Sequence, residues 1–146
     1  MKKGFTITYE YGGNLYVNTT NRCNFNCNFC LRHNNSGGSI YTHNLWLERE
    51  PTREEILADI ESHDLSRYEQ LCFVGFGEPS YRMDDICWVI DRMKENGTKI
   101  FTRMDTNGTG SLILGRDIAP EFAGRFDMVS ISLNTDTAKK YDALCH

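Results

Sequence analysis

The sequence predicts an α/β fold, a partial barrel of about four parallel β/α units behind an N-terminal hairpin. Three observations carry that expectation. Strand-like and helix-like patterns alternate along the chain of 146 residues. Strand ends recur at Gly77, Asp105 and Ser132, spaced by 28 and 27 residues, close to the length of one βαβ unit. The segment "EQLCFVGFG" is a nearly unbroken apolar run, as a parallel strand buried on both faces requires.

The elements follow in order. "TITYEYGGNLYVNTT" alternates apolar and polar residues around Gly12 and Gly13 and reads as a hairpin whose second arm runs into a cysteine cluster. Residues 34–50 are rich in Gly, Ser and Asn and read as a long loop. In "PTREEILADIESH", Thr52 and Glu55 stand at capping-box spacing ahead of Ile56, Leu57 and Ile60 on one helical face. "MDDICWVIDRMKENG" places Ile86, Val89, Ile90 and Met93 at helical spacing, with Gly97 at the C-terminal end. A strand "TKIFTRMD" comes next, then a helix over "SLILGRDIAPEFAGR" interrupted at Pro120. The strand "DMVSISLN" and the helix "DTAKKYDALC" complete the pattern. In "VSISLN" the period of two sends Val129, Ile131 and Leu133 toward the helices and Ser130, Ser132 and Asn134 to the opposite face, where they suggest a wet cavity for a polar ligand.

Sixteen Lys and Arg against twenty Asp and Glu leave a net charge of −4, so nothing marks a nucleic-acid or anionic membrane surface. "MKKGFTITYE" lacks the apolar stretch of a signal peptide, and no run is long enough to span a membrane; a soluble, cytoplasmic chain is expected. Six cysteines without a secretory signal favour metal or redox chemistry over disulfides. Cys23, Cys27 and Cys30 form a CxxxCxxC cluster directly after the hairpin, while Cys72, Cys87 and Cys145 read as small buried hydrophobes.

Three neighbouring thiolates can hold zinc, with His33 as a fourth ligand, or a 4Fe–4S cluster with one iron left open. In parallel α/β folds the chemistry gathers at the C-terminal ends of the strands. Here those ends carry the cysteines, "GFGEP" (Gly75 to Pro79), "DTNG" (Asp105 to Gly108) and "SISLN" (Ser130 to Asn134). His33, His43 and His63 lie in polar segments and read as solvated, and the carboxylates of "REEILADIES" and "DRMKENG" read as surface charge. Arg82 and Arg103 stand beside the strand-end motifs, where either can meet a substrate anion.

CxxxCxxC with Phe29 before its last cysteine, followed one β/α step later by a glycine-rich acidic motif, resembles the radical SAM superfamily. "NLYVNTTNRCNFNCNFCLRHN", "LWLEREPTREEI", "VGFGEPSYRMDD", "DTNGTGSLILGRDIAPE" and "VSISLNTDTAKKYDALC" together resemble the members associated with TatD-family hydrolases, over nearly the whole chain. The resemblance implies a 4Fe–4S cluster on Cys23, Cys27 and Cys30, with S-adenosylmethionine (SAM) chelating its open iron. It implies SAM contacts from Gly75, Phe76, Gly77 and Glu78, the carboxylate of Glu78 and nearby carbonyls receiving the ammonium. Ser132 and Asn134 match the strand position that contacts the ribose. Asp105, Thr106 and Asn107 match a motif near the SAM carboxylate, although many TatD-associated members have Asn where this chain has Asp105.

The activity implied is reductive cleavage of SAM to a 5′-deoxyadenosyl radical that abstracts hydrogen from a substrate. The rival expectation is a non-catalytic module that holds zinc or carries an Fe–S cluster. A flavodoxin or ferredoxin is the implied electron donor, and a TatD-type hydrolase an implied associate. Residues 1–146 are expected to form one radical SAM core domain with four of the usual six β/α units, self-associating through the open fourth parallel strand and holding SAM weakly.

Overall fold

A computed structural model describes residues 4–33 and 44–145. Five strands form one sheet in the order β1-β2-β3-β4-β5: β1 (Thr8–Tyr11), β2 (Asn14–Asn18), β3 (Gln70–Val74), β4 (Phe101–Thr106) and β5 (Met128–Ile131). The first pair is antiparallel and the other three pairs are parallel. Gly12 and Gly13 turn the hairpin with φ of 55° and 82°, a two-residue connection that demands positive φ at both positions. Helices α1 (Arg53–Glu61), α2 (Met83–Glu95), α3 (Gly110–Leu114), α4 (Ala119–Phe122) and α5 (Ala138–Cys145) occupy the connections.

Thr52 and Glu55 close the expected capping box on α1. Ile56 and Ile60 of α1 and Ile86, Val89, Ile90 and Met93 of α2 pack against Leu15, Val17, Leu71 and Phe73, which burial of one full sheet face explains. A second cluster joins Met83, Cys87, Met104 and Ile118. The register carries Tyr16, Cys72, Arg103 and Met128 in one row across the other face of the sheet. The helices thus cover one face, and the chain that follows each parallel strand gathers at one end.

Three expectations are corrected. The helix over residues 111–125 breaks at Gly115, which caps α3 in the left-handed region at φ 66°, and Pro120 lies in the first turn of α4, where its missing N–H costs nothing. Strand β5 stops at Ile131, so Ser132 and Asn134 lie just beyond it, although the Ser132 amide still donates to the Thr106 carbonyl at 2.9 Å. Ile131 and Leu133, expected to face the helices, are 64% and 82% exposed. Helix α5 turns instead toward the cysteines. The Phe25 and Tyr141 rings lie 5.7 Å apart, and the Asn28 amide donates to the Leu144 carbonyl at 2.9 Å.

Candidate functional site

The cysteine segment runs from Thr19 to His33 and is tied to the sheet at several points. Thr20 and Arg22 both bind the Glu50 carboxylate, at 2.5 and 2.7 Å. Burial pushes the Glu50 carboxyl up, but the hydrogen bonds from Thr20 and Arg22 and the charges of Arg22 and Arg82 outweigh it and hold the group below its ordinary range. Arg82 is buried beneath, donating to the Thr19 and Pro51 carbonyls at 3.1 and 2.7 Å and to Asp85 at 2.7 Å. It is consumed by structure and does not face a ligand, contrary to one sequence expectation.

Next the segment meets the end of β3. The Gly77 amide donates to the Thr20 carbonyl at 2.9 Å and the Glu78 amide to the Arg22 carbonyl at 2.7 Å. This contact explains the glycines. A Cβ on Gly77 would fall 2.1 Å from the Arg22 carbonyl oxygen, and one on Gly75 would fall 2.8 Å from the Gly77 oxygen. Asn24 bridges to the end of β4, accepting from Asn107 Nδ2 and donating to Thr109 Oγ1, both at 3.0 Å.

Eleven of the twelve expected site residues line one cavity of about 340 Å³, at the low end for a small-molecule site. Cys23, Cys27 and Cys30 form one wall with Phe25 and Phe29; Gly75, Gly77 and Glu78 contribute the end of β3; Asp105, Thr106, Asn107, Ser132 and Asn134 complete it. Phe76 stands apart. Its ring packs edge-on against Trp46 at 4.8 Å, and its amide donates to Asn18 Oδ1 at 2.9 Å. A larger hollow of about 640 Å³, lined by Lys94, Lys99 and Asp127, lies at the opposite end of β4 and holds none of these residues.

Glu78 is 3% exposed. Its Oε1 accepts from the Ser80 amide and hydroxyl at 3.1 and 2.6 Å and from the Thr106 hydroxyl at 2.6 Å; its Oε2 accepts the Asn107 amide at 2.7 Å. A carboxylate offers roughly four acceptor sites, and the open capacity lies on Oε2, the oxygen bound to a single donor. Glu78 thus staples the ends of β3 and β4 together before it meets any ligand. Glu78→Ala strands these donors and is expected to cost about 2–4 kcal/mol of stability, whereas Glu78→Gln keeps an acceptor and costs less. Urea unfolding of both variants checks this; equal stabilities would show that the staple contributes nothing.

Asp105 is held by Arg103 in a bidentate pair at 2.6 and 2.9 Å, so Arg103 faces its own carboxylate. His63 is not solvated as expected; it sits between Thr8 Oγ1 at 2.8 Å and the Tyr68 hydroxyl at 3.3 Å. Asp59, read as surface charge, accepts from the Thr8 amide and hydroxyl at 3.0 and 2.6 Å.

The Phe25 amide donates to Cys23 Sγ at 3.4 Å. Burial raises the Cys23 thiol, against that hydrogen bond and the Arg32 charge. Cys27 is pushed up to about 12, first by burial and then by a hydrogen bond with Cys145. Cys145, read as an inert buried thiol, therefore belongs to this region. Only the pattern "YDALC" at the end of the chain marks it, and no spacing rule links it to Cys27 across more than a hundred residues. Among the described residues, no three His, Cys, Asp or Glu side chains stand close enough together to hold a metal ion.

The donor set is nevertheless that of a soft-metal site opening onto a polar cavity. Three thiols share one wall, and the opposite wall offers carboxylates, amides and hydroxyls. Among the described residues, no helix is long and apolar enough to cross a membrane. A family model described as the radical SAM superfamily matches residues 17–145. No curated protein and no solved structure matches the chain.

Proposed function

The chain belongs to the radical SAM superfamily, and on that premise we propose that it is an enzyme whose Cys23, Cys27 and Cys30 hold a 4Fe–4S cluster beside a SAM site. Together these groups supply one-electron cleavage of SAM and a 5′-deoxyadenosyl radical that takes hydrogen from a substrate. The observation that carries the reading is the cavity shared by the three cysteines, Gly75, Gly77, Glu78 and the ends of β4 and β5. The ties to Glu50, Gly77 and Asn107 hold the N-terminal end of the cysteine segment, at Thr20, Arg22 and Asn24, against the sheet.

Within this reading Gly75 and Gly77, whose missing Cβ atoms make room for the chain itself, present their backbone to the SAM methionine group, and Glu78 Oε2 receives its ammonium. Phe76 contributes its backbone alone, since its ring is committed to Trp46. Thr106 and Asn107 lie beside the SAM carboxylate, Asp105 is held in place there by Arg103, and Ser132 and Asn134 meet the ribose. Glu78→Gln is expected to keep its iron and to weaken SAM binding about tenfold, the loss of one charged hydrogen bond. Calorimetric titration of the loaded protein measures it, and unchanged affinity would remove Glu78 from the SAM site.

The sheet forms part of a radical SAM barrel, and the TatD-associated group is the subfamily that the quoted motifs favour. An electron donor of the flavodoxin or ferredoxin type fits the exposed Phe29 and Leu31 beside the cysteines, and a TatD-type hydrolase is the associate. The edge strand β5, with Met128, Ile131 and Leu133 exposed, is expected to mediate self-association. Sedimentation should show a concentration-dependent dimer that Ile131→Lys abolishes, and an unchanged monomer at all concentrations would exclude that interface. The test of the function is 5′-deoxyadenosine release from SAM under anaerobic reduction. Release that depends on Cys27 supports it, and none from a fully loaded protein would overturn it.

A further inference from the structure

Cys145 is 2% exposed and is not one of the three cysteines of the CxxxCxxC segment, yet the two residues before it, Ala143 and Leu144, are bound by Asn28, the residue that follows Cys27. Several independent contacts set this pair. Asn28 caps the end of α5, its amide donating to the Leu144 carbonyl at 2.9 Å and its side chain to the Ala143 carbonyl at 3.2 Å. Tyr141 packs on Phe25 and donates its hydroxyl to the Ser132 carbonyl at 3.3 Å. Asn134 Nδ2 donates to Cys145 Sγ at 3.5 Å. The helix is thus docked on the cysteine segment, with Cys145 beside Cys27. The other outlying cysteines are elsewhere: Cys72 stands in the β3 row beside Arg103, and Cys87 lies 3.9 Å from Glu121.

Two cysteines brought side by side by these contacts are placed to form a disulfide. We propose that Cys27 and Cys145 form a reversible disulfide in the cluster-free chain, with a low-molecular-weight disulfide such as oxidised glutathione as the oxidant. Cys27 borders the cavity and is the accessible partner; Cys145 is buried behind it. Cys27 gives up its proton to solvent and attacks one sulfur of glutathione disulfide, slowly at neutral pH because burial disfavours its thiolate, and one glutathione leaves as its thiolate from the mixed disulfide that forms. Cys145, deprotonated, then attacks the Cys27 sulfur and expels the second glutathione. Two protein thiols lose two electrons and two protons, and one glutathione disulfide becomes two thiols. The bond would pin α5 to the cysteine segment. Resting on the cluster reading above, it would also withdraw one of the three iron ligands, so that the oxidised chain cannot load until it is reduced.

The experiment treats the full reduced, cluster-free chain with glutathione disulfide, alkylates the remaining thiols and maps the linkages by mass spectrometry. The expected product is the Cys27–Cys145 crosslink, reversed by dithiothreitol, with Cys72 and Cys87 alkylated. In Cys145→Ser the glutathione adduct should persist on Cys27, and in Cys27→Ser the buried Cys145 should take up none. A Cys23–Cys30 bond, or a stable glutathione adduct on Cys27 of the unsubstituted chain, would overturn the proposal. Iron uptake is read separately. If the reduced chain loads and the crosslinked chain does not, the block on loading holds; if the crosslink forms but the reduced chain takes up no iron, the thiol pair stands and the cluster reading falls.

Discussion

Replacing any one of Cys23, Cys27 and Cys30 by alanine is expected to remove most of the iron from the reconstituted protein. Three ligands leave no spare: a cluster that already has one open iron cannot lose a second thiolate and stay bound. The three residues share one cavity wall, and Cys145, the thiol nearest to Cys27, sits buried on α5 outside that segment. Cys72→Ala and Cys87→Ala should load normally, because the first thiol lies in the β3 row and the second against α4. Cys145→Ser should load as well when the protein is kept reduced. Iron and sulfide analysis after anaerobic reconstitution decides the matter. Full loading of Cys27→Ala, or loss in Cys72→Ala, would refute the ligand assignment.

Gly77→Ala is expected to be the most damaging single methyl group in the site. The added Cβ would stand 2.1 Å from the Arg22 carbonyl oxygen and 2.7 Å from the carbonyl carbons of Asn21 and Arg22, all of them backbone atoms. No side-chain rotation relieves that overlap. Either β3 or the cysteine segment must shift, breaking the bonds from the Gly77 and Glu78 amides. A cost of about 3 kcal/mol follows from overpacking of this kind, which lowers the unfolding midpoint of a chain of this size by roughly 10 °C. Iron loading should fall with it, since Cys23 follows directly on Arg22. Gly97→Ala serves as the contrast: nothing lies within 4 Å of its Cβ, and only the φ of 81° opposes it, at about 1 kcal/mol. Equal midpoints for the two variants would show that the contact between Gly77 and Arg22 does not hold the site together.

The parts of this site that were legible in the sequence are those written in local spacing. CxxxCxxC depends on residues a few positions apart, so a pattern could find it; the period of two in "VSISLN" placed Ser132 and Asn134 at the cavity but left Ile131 and Leu133 exposed where helices were expected. The capping box at Thr52 and the hairpin turn at Gly12 and Gly13 were readable for the same reason. What escaped depends on contacts between distant segments. Glu78 looked like a ligand group because it follows a glycine motif, but its second role, binding Thr106 and Asn107, exists only once β3 and β4 lie side by side. Asn24 and Asn28 look like loop polarity in the sequence, yet they fasten the cysteine segment to β4 and α5. Arg82 shows the opposite error: a charge beside a motif suggested a ligand, and burial against two carbonyls gave it a structural task. Residues 34–43, within the stretch read as a loop, and His43 with them lie outside the described residues.

The central claim is that Cys23, Cys27 and Cys30 hold an iron–sulfur cluster and not zinc, and the visible spectrum with metal analysis of the anaerobically reconstituted protein tests it most directly. The account predicts a brown protein with about four iron and four sulfide per chain, whose broad absorbance bleaches on reduction. A colourless protein that retains about one zinc per chain and takes up no iron would contradict it.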